Sequence, residues 1–371
     1  MYTHLFSPIE IQGKTLSNRI TMAPLYLGYA GEGGTVSPLL LEHYSLMAQS
    51  GAAMITVENA TVDHPAGSGS NRTIRIDTDD NLEGLTKLAE TVKTRGAIAC
   101  IQINHAGRFA GLGRMLAPSE VDTFGKKAEA LDKKQIAEIR KKFAEAAKRA
   151  QKAGFDMIEL HGGTGYLLAQ FVSPRTNKRS DEYGGKLENR MKFPLEVLSE
   201  VKSAVGDFPV GFRFLADEFL ADGLKPDEST EFAGALSEAG AAWLSVMSGT
   251  YESFMLPEFV ERAKTPGYNG DLAGEIKKYS ESPVIVAGRI SSGSVAENLI
   301  AEGKADLAGL ARMLWADPEW PQKVREGREE EIIQCDPECG DICIQLVMKG
   351  KPAYCTQWPA EKTRKFKDMF E

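Results

Sequence analysis

Short apolar runs and longer amphipathic segments alternate along almost the whole chain. The apolar runs have the length of buried strands and occupy residues 18–25, 52–62, 97–104, 155–160, 209–214, 241–247, 284–287 and 306–309. Segments with helical character follow them at residues 38–50, 81–95, 136–150, 187–205, 227–239, 272–280, 294–302 and 318–327. This alternation predicts parallel βαβ units, and eight of each is the number in a (β/α)8 TIM barrel. A doubly wound open sheet is the alternative, but residues 24–29 lack its glycine fingerprint.

The glycine-rich segment after the fourth predicted strand is where a barrel would place chemistry. His161, Thr164 and Tyr166 follow the apolar run at residues 155–160, with glycines between them. Because barrels carry functional residues at the carboxyl ends of their strands, these three side chains are predicted to line a site. Taken alone, the motif would equally suit a strand-to-helix turn with a buried tyrosine.

Glycine turns also follow the seventh and eighth predicted strands. Gly288 and Arg289 come directly after strand seven, and Ala311 and Arg312 come after strand eight. Barrels commonly bind phosphate at these two turns through backbone amides, and an arginine can add a charged contact. Arg213 lies inside the fifth predicted strand, where a guanidinium needs either an internal salt bridge or a polar ligand.

Composition narrows the classes of function. The chain has 371 residues and a formal net charge of −8. A nucleic-acid or anionic-membrane surface would need a basic face, so neither partner is expected. The first residues do not resemble a signal peptide, and no window approaches the roughly 18 apolar residues of a membrane span. We therefore expect a cytoplasmic protein.

Four of the five cysteines are concentrated in the C-terminal segment. Cys335, Cys339, Cys343 and Cys355 are separated by three, three and eleven residues, whereas Cys100 lies far away. Four thiolates at short spacings suit a [4Fe-4S] cluster and equally suit structural zinc. Spacing alone does not distinguish these two metal centres.

Several sequence blocks occur in a fixed order along the chain. They are Met22-Ala-Pro24, Gln102 with His105-Ala-Gly-Arg108, Gly154-Phe-Asp with His161-Gly, Gly165-Tyr-Leu, Ser173-Pro-x-x-Asn-x-Arg, Glu188-Asn-Arg190, Gly288-Arg289 and residues 306–312. With the cysteine motif, they resemble the old yellow enzyme (NADH:flavin oxidoreductase) family, in its iron-sulfur branch that includes 2,4-dienoyl-CoA reductase and trimethylamine dehydrogenase. The resemblance covers residues 5–355. It implies an FMN-binding barrel at residues 1–328 and a cluster-binding extension at residues 329–371.

The resemblance implies FMN-binding roles for eight residues. Pro24 and Ala60 would lie along the flavin ring, and Gln102 would bond to its pyrimidine edge. Arg213 would face N1 and O2, where negative charge gathers on reduction. The residues that would hold the phosphate are Gly288, Arg289, Ala311 and Arg312.

The resemblance also implies a reaction. Family members that reduce activated alkenes hold the substrate carbonyl with a histidine and a second donor, Asn or His, three residues on. A tyrosine two residues further then protonates the α-carbon. His161 and Tyr166 match the first donor and the proton source, whereas Thr164 stands in place of the second donor. The cysteines would bind [4Fe-4S], although the branch usually opens Cys-x2-Cys and this chain opens with three intervening residues.

These points favour an FMN- and [4Fe-4S]-dependent reductase of conjugated C=C bonds in enoyl or aryl carbonyl compounds, including CoA thioesters. Larger relatives continue past the cluster into a further nucleotide-binding region, whereas this chain ends soon after Cys355. We therefore expect the protein to receive electrons from a partner protein or directly from NAD(P)H. We also expect it to form a homo-oligomer. The alternatives are an electron-transfer subunit and an amine dehydrogenase, for which Tyr26, Tyr29 and Tyr251 could form a cage around a cationic amine.

Overall fold

A computed structural model describes residues 2–369, and eight parallel strands form its centre. They are β1 (Ile20–Met22), β2 (Met54–Thr61), β3 (Ile98–Asn104), β4 (Met157–Gly162), β5 (Val210–Leu215), β6 (Leu244–Met247), β7 (Val284–Ala287) and β8 (Leu307–Leu310). Each strand pairs in parallel with the next, and β8 pairs with β1. This pairing closes the sheet, so the predicted (β/α)8 barrel is confirmed and the open sheet is excluded.

Eight helices surround the barrel. They are α1 (Pro38–Ala48), α2 (Leu82–Lys93), α3 (Lys133–Lys152), α4 (Leu187–Val205), α5 (Pro226–Glu238), α6 (Gly270–Lys277), α7 (Gly293–Ala301) and α8 (Trp320–Glu326). In α3, Asp132 and Gln135 form a reciprocal capping box at the first turn. The C-cap is Ala153, and Gly154 follows it with a φ of 86°, the left-handed conformation that glycine commonly adopts after a helix.

The two ends of the barrel interior differ in polarity. At the amino end, a buried apolar cluster includes Met54, Cys100, Met157 and Trp243. A hairpin of strands Ile9–Ile11 and Lys14–Leu16, which the sequence analysis missed, adds buried Ile11 and Leu16 to this cluster. Its three-residue strands are too short for a periodicity signal. The interior is therefore sealed at its amino end, and polar side chains gather toward the carboxyl ends of the strands.

The long connections contain structure of their own. The connection at residues 107–133 holds the strands Leu116–Ala117, Val121–Thr123 and Lys126–Ala130, which form a small sheet. Further elements are the strand Ile74–Arg75 and the helices Leu167–Val172, Pro257–Ala263, Arg312–Ala316, Ile342–Met348 and Ala360–Asp368. None of the helices in residues 2–369 has the length and apolar character that a membrane crossing requires.

The C-terminal segment packs against loops at the carboxyl end of the barrel. The Ala353 amide donates to the Leu27 carbonyl at 2.9 Å, and the Tyr29 hydroxyl donates to the Ala353 carbonyl at 2.6 Å. The Trp358 indole donates to the Trp315 carbonyl at 3.3 Å, and the two rings meet edge to face. These contacts join the segment to the loops that follow β1 and β8.

Candidate active site

His161 lies on β4, close to the mouth of the barrel. The strand extends to Gly162, so His161 is part of it and not just past its end, as the apolar run had predicted. Its Nδ1 accepts the backbone N–H of Gly163 at 3.2 Å. Burial and the nearby Arg213 guanidinium hold the pKa of His161 well below its usual value. The ring is therefore neutral with its proton on Nε2, which leaves an N–H donor for a ligand.

Thr164 occupies a backbone conformation that is unusual for its side chain. Its φ is 58°, in the left-handed region that β-branched residues rarely adopt. The hydroxyl lies 3.5 Å from the Met247 sulfur, to which it donates. Thr164 is thus placed beside the site, but its hydroxyl points to a thioether on β6.

Tyr166 stands next to His161 and immediately before the helix Leu167–Val172. The two rings meet edge to face with centroids 4.9 Å apart. The Tyr166 hydroxyl is 2.7 Å from that of Tyr251, which belongs to the loop after β6. Burial, with the neighbouring Tyr251 hydroxyl, raises the pKa of Tyr166 well above its usual value. The phenol is consequently protonated at neutral pH and able to donate.

A buried ion pair joins the loops that follow β3 and β6. The Arg108 guanidinium is 2% exposed and pairs with the Glu252 carboxylate. It also lies over the Phe109 ring, 4.3 Å from the centroid. Phe109 in turn packs edge to face against Tyr251 at 4.9 Å. These contacts position Tyr251 beside Tyr166. Glu252 was not identified from the sequence, because it is one of several charged residues in a long loop.

A layer of polar side chains fills the barrel interior below His161. The Gln102 amide donates from Nε2 to Glu159 Oε1 at 2.8 Å, and the Trp243 indole donates to Glu159 Oε2 at 3.2 Å. Arg213 donates from Nη1 to the Ser245 hydroxyl at 3.1 Å. Within residues 2–369, Arg213 has no carboxylate within 4.0 Å, so the salt bridge considered for it is not formed. Glu159 was missed, although a glutamate within an apolar run was a visible signal.

The residues predicted to face the flavin ring lie at the ends of neighbouring strands. Pro24 follows β1, and the preceding Ala23 amide donates to the Leu310 carbonyl of β8 at 2.8 Å. Ala60 lies near the end of β2, beyond a shift in register with β3 that begins at Val57. The structure thus brings both residues to the barrel edge that carries His161.

The predicted phosphate turns are adjacent because β7 pairs with β8. Gly288 has a φ of 151°, and a Cβ there would lie 3.0 Å from both the Tyr268 ring and the side-chain nitrogen Nδ2 of Asn269. Arg289 has a φ of 47°, another left-handed residue. Only a residue without a side chain fits at Gly288 without displacing its neighbours, which suits a turn that exposes backbone amides to an anion.

Arg312 faces the C-terminal segment. Its Nη1 donates to Asp341 Oδ1 at 2.5 Å, and its side chain lines a small cavity. The other lining residues include all four clustered cysteines, Cys335, Cys339, Cys343 and Cys355. In the part of the chain that the structure describes, no three His, Cys, Asp or Glu side chains are close enough together to hold a single metal ion.

The closed barrel carries histidine and tyrosine donors at the carboxyl ends of its strands. TIM-barrel enzymes have their active sites at this end, so the chain has the features of that class. The family model for the NADH:flavin oxidoreductase / NADH oxidase family matches residues 4–331, and the chain belongs to that family. Membership confirms the predicted class, the flavin-dependent oxidoreductases of old yellow enzyme type.

Three relatives illustrate the match. An NADH oxidase from Thermoanaerobacter brockii is 44% identical over 352 residues, covering 92% of this chain and 54% of the relative. A 2-naphthoyl-CoA reductase in complex with 2-naphthoyl-CoA superposes with a TM-score of 0.92 at 28% identity, covering 97% of this chain and 57% of the other. Histamine dehydrogenase from Rhizobium sp. 4-9 superposes with a TM-score of 0.86 at 32% identity, covering 96% of this chain and 52% of the other. The chain thus spans about half the length of these relatives.

Proposed function

We propose that the protein is an FMN- and [4Fe-4S]-dependent reductase of conjugated C=C bonds in enoyl or aryl carbonyl compounds, including CoA thioesters, and that NAD(P)H serves as reductant. The observation that carries the proposal is the pair formed by His161 and Tyr166. The two rings lie 4.9 Å apart, and each side chain holds the proton that its role requires. A carbonyl donor beside a proton donor is what the reduction of a conjugated alkene needs.

The FMN site is supported by the chemistry of the residues at the barrel mouth. Pro24 and Ala60 would lie along the ring, and Gln102 would bond to the pyrimidine edge. Among residues 2–369, the Arg213 guanidinium has one hydrogen-bond partner, Ser245, and retains donors for an anionic group. The phosphate would be held by the turns at Gly288 and Arg289 and at Ala311 and Arg312, with Arg312 contributing through its backbone because its side chain faces Asp341. Bound FMN would supply the hydride for the reaction.

The substrate carbonyl would be held chiefly by His161. Its Nε2–H is available because Nδ1 already accepts the Gly163 amide. Thr164 would contribute less, since its hydroxyl is directed at Met247. A single strong donor polarises the carbonyl and withdraws electron density from the β-carbon, where hydride arrives.

The proton for the α-carbon would come from the Tyr166 hydroxyl. Its partner Tyr251 can accept or donate across the 2.7 Å contact, so Tyr251 orients the phenol and can return a proton to it. The Arg108–Glu252 ion pair holds the loop that carries Tyr251. Water exclusion by these aromatic and paired groups strengthens both donors.

Cys335, Cys339, Cys343 and Cys355 would bind the [4Fe-4S] cluster in the extension at residues 329–371. The four thiols line one cavity, which brings together the four ligands that a [4Fe-4S] cluster requires. The Arg312 cation on the cavity wall would offset the negative charge of four thiolates. Such a centre would exchange electrons with a partner protein.

The amine dehydrogenase alternative has weaker support. Phe109, Tyr166 and Tyr251 do form an aromatic wall, as a cage for a cationic amine requires. However, the Arg108 guanidinium already lies over the Phe109 ring. That face of Phe109 is therefore already occupied by a cation paired with Glu252 and is not free to receive an amine.

The test is anaerobic purification with analysis of flavin, iron, sulfide and zinc, followed by titration of the flavin. We expect FMN with four irons and four sulfides per chain, reduction by NAD(P)H, and reoxidation by an enoyl or aryl thioester. Bleaching of the flavin by an amine, with no reoxidation by any unsaturated carbonyl compound, would replace the reductase with the dehydrogenase. Zinc without iron would refute the cluster.

A further inference from the structure

We infer that Glu159 is a positioning residue for the flavin: a buried anion that orients the Gln102 amide and moderates the charge of the Arg213 guanidinium. The inference rests on the proposed FMN site. It concerns two side chains on different strands that would both face the pyrimidine end of the flavin.

The contacts of Glu159 account for both of its carboxyl oxygens. The side chain is on β4, is 1% exposed, and stands opposite Gln102 of β3 in the strand register. One oxygen accepts from Gln102 and the other from the Trp243 indole. The Ser245 hydroxyl accepts from Arg213 at 3.1 Å and lies near enough to the carboxylate to lower its pKa.

The hydrogen-bond inventory favours the ionised carboxylate. Gln102, Trp243 and Ser245 each present a hydrogen atom, so a protonated acid would direct its own proton against a donor. Burial raises the pKa of Glu159, and the Arg213 charge with these three donors opposes that rise. The Trp243 indole N–H can only donate. Glu159 is therefore an acceptor in this contact, whichever way the Gln102 amide is oriented.

The acceptor role decides which way the Gln102 amide points. Because the carboxylate needs a donor, the NH2 group of Gln102 must face Glu159 and its carbonyl oxygen must face away. That oxygen is then presented to the flavin pyrimidine edge, whose N3–H is a donor. Without Glu159 the Gln102 amide could rotate, and its NH2 group would then face the flavin N3–H, which is also a donor.

The same carboxylate moderates the charge of Arg213. Glu159 is the principal anionic neighbour of the guanidinium, although the two form no direct ion pair. Its negative charge opposes the positive field that Arg213 exerts where a reduced flavin accumulates charge. Neutralising Glu159 should therefore favour the reduced flavin, while loss of the amide orientation should weaken FMN binding.

The test uses the purified full chain and Glu159→Gln, a variant of nearly the same shape. The matched control is Glu218→Gln, which alters another buried carboxylate with two hydrogen bonds, to Ser173 and the Leu224 amide. We expect Glu159→Gln to raise the FMN dissociation constant about tenfold and to shift the flavin midpoint potential to a more positive value. The control should change neither quantity.

A second readout needs no flavin. In the flavin-free protein, the indole N–H resonance of Trp243 should move upfield in Glu159→Gln, because the amide is a weaker acceptor than the carboxylate. Disappearance of the peak in Trp243→Phe assigns it. Glu159→Asp keeps the charge but not the reach, so it should retain the wild-type potential and lose FMN affinity.

The outcomes separate this inference from the function on which it rests. Wild-type protein that binds no FMN would overturn the proposed function itself. Wild-type protein that binds FMN, together with a folded Glu159→Gln variant of unchanged FMN affinity and potential, would overturn the role of Glu159 alone. If Glu159→Gln does not fold, Glu159→Asp supplies the test. A shift of its flavin midpoint potential, alongside the loss of FMN affinity, would refute the charge argument.

Discussion

Replacing Tyr166 with phenylalanine removes one oxygen atom from the proposed site and little else. The hydroxyl is partly buried and lies 2.7 Å from that of Tyr251. General-acid groups typically contribute about 10²–10⁴ in rate, which corresponds to about 3–5 kcal/mol of activation free energy. We expect Tyr166→Phe to slow substrate reduction by that factor and to leave flavin reduction by NAD(P)H within about twofold, since hydride transfer to the flavin needs no phenol.

Anaerobic stopped-flow measurement separates the two half-reactions of Tyr166→Phe. Tyr251→Phe is the matched control: it removes one neutral hydrogen bond worth about 0.5–1.5 kcal/mol, so its effect on substrate reduction should be roughly two- to tenfold. Equal slowing of both half-reactions in Tyr166→Phe would refute the proton-donor argument. So would a Tyr251→Phe variant that is slower than Tyr166→Phe.

Three further predictions concern stability and loop geometry. Burial raises the pKa of the Glu58 carboxyl to about 8, so the folded state holds this proton more tightly, and the free energy of unfolding should fall on the order of 4 kcal/mol as pH rises from about 4.5 to 8. Gly211→Ala would place a Cβ 2.0 Å from the Trp243 ring and should cost about 1–3 kcal/mol in denaturant unfolding. Arg108→Gln leaves Glu252 without its partner and should cost about 3–5 kcal/mol and raise KM in steady-state assays.

Each of these has its own control. Glu58→Gln should flatten the pH dependence of unfolding, and an unchanged slope would exclude Glu58 as its source. Gly234→Ala, in α5, meets only an ordinary contact at 3.4 Å and should not destabilise the protein; if both glycine variants lose equal stability, crowding by Trp243 is not the cause. Restoration of KM in the double variant Arg108→Gln/Glu252→Gln would support the pair, whereas a further increase would contradict it.

The barrel was predictable because each strand and helix leaves a local signal. The helix at residues 187–205 was predicted with the bounds that the structure shows, since its apolar positions recur with the helical period. The strand that carries His161 was placed about two residues too early. His161 and Gly162 extend it, and their inclusion depends on pairing with β5, which no local pattern reports.

The sequence points to several residues of the candidate site, but not to the contacts between them. His161, Tyr166 and the cysteine motif were found from motif and spacing. The partnership of Tyr166 with Tyr251 joins positions 85 residues apart, and that of Arg108 with Glu252 joins positions 144 apart. Such pairs arise only when loops from different strands converge at the barrel mouth, so a single sequence carries no direct record of them.

The contacts of the C-terminal segment bear on the order in which the protein is assembled. The segment rests on Leu27 and Tyr29, which follow β1, and on Trp315, which follows β8. These two loops become neighbours only when the first and last strands pair. A half-folded chain would therefore offer the four cysteines no platform, and the proposed cluster would form only after the barrel has closed.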